Sequence, residues 1–329
     1  MRIIWQTKPG QQTEFEQEFL RDVVFAQVPH SAVFDEASYR ADGRDAVIVY
    51  STFREKAAPE LLNYLSQSQG HSLVHLSEER LHHDSSYYAN ARIVLRSYYD
   101  PRITAANVFT LPLGFQSGFL NRSGESDFTA KELVWCFAGQ IKSNRKKMVR
   151  ELSQFQPHKI VLTSQWADPN GLSVEQMAQT YKNSIFAPCP FGNRNPDSFR
   201  LMESLEHGCI PVVLYFLNHD YFRYVMGDHP FIIDRTWAGA AKQMRDLMSD
   251  PARLREKQEE VARWYKAYKA NLSADIADIF NGAKHEDLLS EQFHLQKKGV
   301  EGRTLSLYNL YYGRGLIRRA FRALVHAYA

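Results

Sequence analysis

The sequence predicts an α/β fold in which two Rossmann-like domains face each other across a cleft. Along most of the 329 residues, short apolar runs rich in β-branched and aromatic residues alternate with amphipathic stretches, the pattern of parallel strands joined by helices. A polar segment at residues 121–132, rich in Gly, Ser and charged residues, interrupts the pattern, which then restarts at a similar size. We therefore expect an N-terminal domain over residues 1–125, a second domain over 126–285 and a C-terminal segment over 286–329.

Apolar runs mark five candidate strands in each predicted domain. In the first domain they lie at residues 2–5, 46–51, 72–76, 92–97 and 107–114. In the second they lie at residues 133–139, 159–164, 184–189, 210–215 and 231–234. Helices fit between the strands. Ser173 and Gln176 form a capping-box signature for a helix to about Lys182, and residues 251–270 open on Pro251 and are rich in strong helix formers.

Composition is that of an ordinary globular protein. Hydrophobic residues make up 44% and charged residues 23% of the chain, and the net charge is +3, which argues against a disordered chain and a nucleic-acid-binding surface. Cys136, Cys189 and Cys209 are odd in number and far apart, so we expect buried thiols in a reducing compartment. The first apolar run is too short for a secretory leader, and no apolar run reaches the roughly 18 residues of a membrane span. We expect a cytoplasmic protein.

The segment CPFGNRNPDSFRLMESLEHGCIPVV, residues 189–213, carries the strongest functional signal. A turn leads from a predicted strand into a short amphipathic helix that Gly208 ends. The N–H groups at the start of such a helix point toward the carboxyl end of the sheet, where α/β folds bind ligands, and this geometry suits a diphosphate. Ser198 can donate to a phosphate oxygen, Arg200 can neutralise the phosphate, and Glu203 can accept both hydroxyls of a ribose.

The same residues have a purely structural alternative. Arg200 and Glu203 are three positions apart on one helix face and could form a surface ion pair worth a few tenths of a kcal/mol. Ser198 would then be only a helix cap. The turn containing Gly192 and the strand that restarts directly after the helix favour the ligand-binding interpretation.

The segment resembles the donor-site signature of exostosin-like glycosyltransferases, in which Ser-x-Arg, Glu and a Gly-Cys-x-Pro-Val turn follow one another at this spacing. CFAGQIKSNRKKMVREL, residues 136–152, is similar to the Phe-x-Gly loop of the same family and to the Arg that reaches the diphosphate. LVHLSEER, VLRSYY and LPLG resemble, less specifically, the ribitol xylosyltransferase branch and its bacterial relatives. The resemblance covers roughly residues 70–235 and implies a GT-B fold with a nucleotide sugar held mainly by the second domain. The donor-binding residues that we expect are Gly139, Arg145, Asn193, Ser198, Arg200 and Glu203.

Transfer of a sugar from a nucleotide requires stabilisation of the departing diphosphate. The sequence places no Asp-x-Asp pair at a predicted strand end to hold Mg²⁺ or Mn²⁺. Cationic side chains and a helix N-terminus would therefore serve instead, with Arg145, Arg200 and either Lys142 or Lys146 as candidates. We expect no metal and no cofactor beyond the nucleotide-sugar substrate.

The first domain offers a general base for the acceptor hydroxyl in HLSEERLHHD, directly after a predicted strand. Glu79 is the preferred candidate, and Glu78 and His83 are the others. Arg96, at the end of its strand, could contact an acidic acceptor or pair with a nearby carboxylate. Gly114 could line the cleft with its backbone N–H.

We therefore expect a metal-independent glycosyltransferase that moves a sugar from a nucleotide diphosphate, with UDP as the expected nucleotide, to a hydroxyl of a glycan or a polyol phosphate in surface polysaccharide or glycoconjugate synthesis. The alternative is a catalytically inactive nucleotide-sugar-binding regulatory protein. An epimerase or dehydrogenase is disfavoured because no GxGxxG loop follows the first strand. The basic, amphipathic tail at residues 307–329 either packs back on the first domain or lies on an anionic membrane surface.

Overall fold

A computed structural model describes residues 1–6, 15–34, 46–51, 59–82, 84–122, 128, 131–142, 144–165, 168–282 and 289–328. The chain divides into two compact units. Unit 1 comprises Met1–Leu113, Phe222–Asp228 and Tyr268–Leu305, and unit 2 comprises Gly114–Tyr221, His229–Ala267 and Ser306–Ala329.

Unit 1 is built on a parallel sheet of six strands in the order β2-β1-β3-β4-β5-β6. The strands are β1 (Arg2–Trp5), β2 (Ser31–Phe34), β3 (Ala46–Ser51), β4 (Ser72–Leu76), β5 (Val94–Ser97) and β6 (Val108–Leu111). The helices of its N-terminal part are α1 (Gln17–Phe19), which continues as a π-helix over Leu20–Val24, α2 (Pro59–Gln67) and a 3₁₀ helix over Ser86–Asn90. Ile4, Ile48 and Leu73 on the central strands are fully buried. Such parallel strands have both faces covered, which is why they stand out as continuous apolar runs.

Unit 2 is built on a parallel sheet of five strands in the order β11-β10-β9-β7-β8. The strands are β7 (Leu133–Gly139), β8 (His158–Leu162), β9 (Ser184–Pro188), β10 (Ile210–Leu214) and β11 (Ile232–Asp234). The remaining helices of the chain are α3 (Arg145–Leu152), α4 (Val174–Lys182), α5 (Phe199–Glu206), α6 (Tyr221–Met226), α7 (Trp237–Met248), α8 (Pro251–Asn281), α9 (Glu291–Lys298), α10 (Gly302–Tyr312) and α11 (Leu316–Tyr328). The capping box predicted at Ser173 and Gln176 is confirmed at the start of α4.

All ten predicted strands are present. Strand β2 was not predicted because its sequence, SAVF, is only four residues long and begins with a polar serine. It lies at an edge of the sheet, where Ser31 and Ala32 are exposed, so it needs no continuous apolar run.

The two sheets share one doubly wound topology. In each, the first strand lies between the second and the third, so the strand order reverses between β1 and β3 in unit 1 and between β7 and β9 in unit 2. Ligands of doubly wound folds bind at the carboxyl ends of the strands where the order reverses. In unit 2 that point lies at the ends of β7 and β9.

The unit boundaries differ from the predicted ones at residues 125 and 285. Residues from Gly114 onward cluster with unit 2, and the predicted C-terminal segment is divided between the units after Leu305. Side-chain contacts explain this division. Phe293 packs edge-on against Phe109 in unit 1, whereas Tyr308, Tyr311 and Tyr312 surround Phe216 in unit 2.

Cys136, Cys189 and Cys209 are buried, unpaired thiols, as the sequence analysis predicted. None of the helices in the described ranges has both the length and the apolar character that crossing a membrane requires.

Candidate functional site

The ends of β7 and β9 carry most of the predicted donor residues. Gly139 is the last residue of β7, and Arg145 is the first residue of α3 soon after it. The segment after β9 carries Asn193 and Ser198 before α5 begins at Phe199. The structure therefore brings the two resembling segments together at the point where the strand order of unit 2 reverses.

Arg200 reaches from the first turn of α5 to the end of β7. Its Nε and Nη2 donate to the Ala138 carbonyl at 3.1 and 2.8 Å, and its guanidinium lies 5.2 Å from the centroid of the Phe137 ring. Gly139 has φ of +148°, and a Cβ at this position would lie 2.5 Å from Arg200 Nη2. Glycine is required here because a side chain would displace the guanidinium.

Arg145, the first residue of α3, also lies beside the Phe137 ring. Its guanidinium is 5.9 Å from the Phe137 centroid, and the residue is only 5% exposed. Nη1 donates to the Gln140 carbonyl at 3.1 Å and Nη2 to the Phe191 carbonyl at 3.0 Å. Arg145 therefore ties the loop after β7 to the loop after β9 and places a second fixed positive charge at this edge.

Ser198 occupies the N-cap position of α5, yet its side chain makes no capping hydrogen bond. The residue is 7% exposed, and its Oγ has no hydrogen-bond partner among the described residues. A buried hydroxyl without a partner is costly, so its presence calls for an explanation. The Leu201 N–H donates to the Ser198 carbonyl at 3.1 Å, and the positive end of the helix dipole at the start of α5 favours an anion there.

Glu203 lies one turn further along α5 and is 6% exposed. Burial raises its pKa to about 7, against the opposing effects of Arg200 and of a hydrogen bond from the Gln116 backbone. The structural alternative considered for this helix therefore does not hold. Glu203 is not a surface residue, Arg200 hydrogen-bonds a carbonyl, and Ser198 does not cap the helix through its side chain.

The remaining predicted donor residue, Asn193, is exposed and accepts a hydrogen bond from Lys142 through its Oδ1. Tyr312, in the C-terminal part of the chain, forms hydrogen bonds with the loop that carries Asn193. Asn195 is fully buried, and its Nδ2 donates to the Tyr312 hydroxyl at 3.1 Å, while that hydroxyl donates to the Arg194 carbonyl at 3.1 Å.

Helix α11 adds a residue that sequence reasoning missed. His326 Nε2 lies 2.8 Å from the Tyr311 hydroxyl, and its ring packs edge-on against Phe191. Burial, followed by the charges of Arg145, Arg194 and Arg322, lowers the His326 pKa to about 4. Arg145, Arg194 and Arg322 therefore place positive charge close to this part of the loop after β9. Because Phe191 and His326 are far apart in the sequence, no local sequence pattern could have identified their contact.

Unit 1 contains a separate polar cavity of about 240 Å³ at the carboxyl ends of β4 and β5. Glu78 and Arg96 both line it. Arg96 Nη2 lies 3.8 Å from Glu78 Oε2, and the two residues are 3% and 8% exposed. Glu78 Oε1 also accepts a hydrogen bond from the His82 backbone N–H at 3.1 Å. The structure thus brings together two of the predicted first-domain residues.

The other first-domain predictions are placed differently. Glu79 is 9% exposed and is not among the described residues that line the cavity. His83 lies outside the described residues. Gly114 is the first residue of unit 2, so it does not belong to the unit that carries Glu78 and Arg96.

Comparison with known proteins supports the fold. No family model and no curated protein matches the chain. Among solved structures, an α1,3-fucosyltransferase crystal structure matches with a TM-score of 0.50 at 9% identity, covering 82% of this chain and 90% of that chain. An α-glucosyltransferase in complex with UDP and a DNA 13-mer matches with a TM-score of 0.38 at 11% identity, covering 80% and 94%; that score is too low to indicate a shared fold. The first match and the two parallel sheets give the chain a GT-B fold, as predicted. The exostosin-like resemblance remains a prediction.

Proposed function

We propose that this protein is a glycosyltransferase that moves a sugar from a nucleoside diphosphate to an acceptor hydroxyl in glycan or glycoconjugate synthesis. UDP is the nucleotide that we expect. The observation that carries the proposal is the buried, unpartnered Ser198 hydroxyl at the start of α5. It lies where a doubly wound sheet binds ligands, at the same sheet edge at which hydrogen bonds to backbone carbonyls hold Arg145 and Arg200. The GT-B fold and the resemblance of both loops to a donor site support the same conclusion.

In the proposed reaction the acceptor hydroxyl attacks the anomeric carbon of the donor. A new carbon–oxygen bond forms, the bond from that carbon to the diphosphate breaks, and the diphosphate leaves with the electron pair. The N–H groups of α5, Ser198 and the two guanidiniums stabilise the charge that develops on the leaving group. We assign no divalent ion to this step, because the guanidiniums and the helix N-terminus supply the positive potential, and we expect turnover to persist in EDTA.

Glu78 is our assignment for the base that takes the proton from the acceptor hydroxyl. It lines the cavity of unit 1, and Arg96 Nη2 lies 3.8 Å from its Oε2. Glu79, which the sequence analysis preferred, stays a prediction from sequence alone.

The proposal is tested by incubating the protein with a panel of UDP-, GDP- and TDP-sugars in EDTA and measuring the nucleotide released. We expect release from at least one donor by the wild-type protein and by Arg150→Ala, which changes an exposed arginine of α3 that pairs with its neighbour Glu151. Arg200→Ala should abolish release. If the wild-type protein binds a nucleotide sugar but releases product from none, the chain is a nucleotide-sugar-binding regulatory protein instead.

The raised pKa of Glu203 predicts a pH dependence of donor binding. Only the ionised carboxylate accepts from both ribose hydroxyls. Below about pH 7 the group is protonated, so affinity for UDP-glucose should fall as the pH decreases through this value, at most tenfold per pH unit. The diphosphate of UDP-glucose is a diester that does not titrate in this range. Calorimetry from about pH 6 to 8 measures the effect, and Glu203→Gln should bind weakly with no such slope. A slope that survives this substitution would remove Glu203 from the donor site.

We also propose that helix α11 contacts an anionic membrane surface. Leu316, Ile317 and Leu324 are 81%, 80% and 55% exposed. From residue 302 to the end, the sequence contains five arginines and no acidic residue, and Arg318 and Arg319 are exposed beside the apolar side chains. An exposed apolar stripe with flanking cations is typical of helices that lie in the interface of anionic membranes.

Vesicle binding tests this assignment. The full chain should sediment with phosphatidylcholine vesicles that contain phosphatidylglycerol but not with phosphatidylcholine alone, and high salt should weaken the binding. Leu316→Asp combined with Ile317→Asp should abolish it. Leu162→Asp, which changes an equally apolar residue exposed on β8, is the matched control and should bind like the wild type. Equal binding to neutral vesicles, or loss of binding in the control, would contradict the assignment.

A further inference from the structure

The cavity of unit 1 is balanced in charge. Two arginines, two carboxylates and the histidines His75 and His82 line it. Arg96 lies 3.8 Å from Glu78, and Arg102 pairs with Asp100 through two hydrogen bonds of 2.7 Å. The Tyr88 ring and the side chains of Leu81 and Ile103 add apolar surface. The cavity therefore offers both strong donors and strong acceptors around a small volume.

Arg96 is a residue of the cavity wall whose hydrogen-bonding capacity is poorly satisfied. It is 3% exposed, its Nε has no hydrogen-bond partner among the described residues, and its contact with Glu78 is longer than a hydrogen bond. A guanidinium has five donors and remains charged when buried, so burial without oxygen partners is unfavourable. Its position on the cavity wall lets it donate to oxygen atoms of a bound ligand.

The carboxylates on the same wall decide the chemistry of that ligand. A phosphate or a carboxylate that accepted from Arg96 would also lie near Glu78 and Asp100, whose like charges disfavour it. Adjacent hydroxyls avoid this conflict, because each can accept from a guanidinium and donate to a carboxylate. At about 240 Å³ the cavity is smaller than the roughly 300–1,000 Å³ of sites for drug-sized ligands, and this size suits a single ring.

We propose that this cavity binds one neutral sugar ring with adjacent hydroxyls, oriented by Arg96, Glu78 and Asp100, and that this ring is the acceptor. The identification as the acceptor rests on the proposed function, whereas the preference for a neutral ring does not. Of the two acceptor classes that the sequence analysis left open, glycan and polyol phosphate, the cavity favours the glycan.

Saturation-transfer NMR on the full chain tests the proposal. The probes are neutral methyl glycosides of glucose, galactose, mannose and xylose, methyl glucuronide as the carboxylate, and glycerol 3-phosphate and ribitol 5-phosphate as the phosphates. We expect at least one neutral glycoside to bind, and neither the glucuronide nor the phosphates to bind. Arg96→Gln should weaken binding of the neutral glycoside by roughly tenfold to a hundredfold, because it removes a charged hydrogen-bond donor.

Two further variants separate binding from folding. Ser85 lies at the rim of the cavity and is partly exposed, so Ser85→Phe should block the probe without disturbing the core. Ser86→Phe changes the exposed neighbour, which is not among the residues that line the cavity, and should leave binding unchanged. Failure of every neutral glycoside to bind, binding of the phosphates instead, or equal loss in both serine variants would overturn the proposal. Calorimetry with UDP on the same samples distinguishes this outcome from failure of the proposed function, in which UDP itself would not bind.

Discussion

Glu78→Gln is expected to lower kcat for sugar transfer by about 10²–10⁴, the usual contribution of a general base. The glutamine keeps the shape of the side chain and can still accept from the His82 N–H, but it cannot take a proton from the acceptor hydroxyl. Because Glu78 is not one of the residues that we assign to UDP binding, the affinity for UDP should not change. Initial rates at saturating donor and acceptor, together with calorimetry for UDP, measure the two quantities.

Glu79→Gln is the matched control, because it changes the adjacent carboxylate by the same chemistry. It should retain transfer within a fewfold of the wild type. A loss of kcat confined to Glu79→Gln would restore the interpretation favoured by the sequence and contradict our assignment. Thermal unfolding of both variants checks that any loss does not come from the buried contact between Glu78 and Arg96.

Arg145→Ala is expected to produce the second large effect, a decrease of roughly 10²–10³ in kcat/KM, because it removes a fixed cation from the developing charge on the diphosphate. UDP binding should weaken as well. Arg145→Lys should recover only part of the loss, since an ammonium cannot donate to the Gln140 and Phe191 carbonyls and to a phosphate in the same geometry.

Arg150→Ala, on the same helix, is the control for this series. Arg150 is exposed and pairs with Glu151, so the variant should match the wild type in UDP affinity and in rate. Unchanged UDP affinity in Arg145→Ala would show that the diphosphate does not lie where we place it.

The fold was predictable because strands β3, β4, β7, β9 and β10 are largely buried and appear as nearly continuous apolar runs. The donor site was predictable for a related reason. Each of its two segments is local in sequence, and the carboxyl ends of neighbouring parallel strands bring the segments together.

Features that depend on distant contacts could not be predicted. The division of the C-terminal segment between the two units depends on tyrosines packing around Phe216, and an amphipathic pattern does not identify its partner. The difference between Glu78 and Glu79 depends on the loop conformation. Ser77 has φ of +61°, a left-handed value that is uncommon for serine, so strand alternation does not continue into the adjacent carboxylates.

The position of the diphosphate tests the central claim most directly. Crystals of the full chain grown with UDP and EDTA should show the diphosphate within hydrogen-bonding distance of Ser198 Oγ and the first N–H groups of α5, with the guanidiniums of Arg145 and Arg200 beside it. A diphosphate bound elsewhere, or one that occupies this site only when a divalent ion is supplied, would contradict the account.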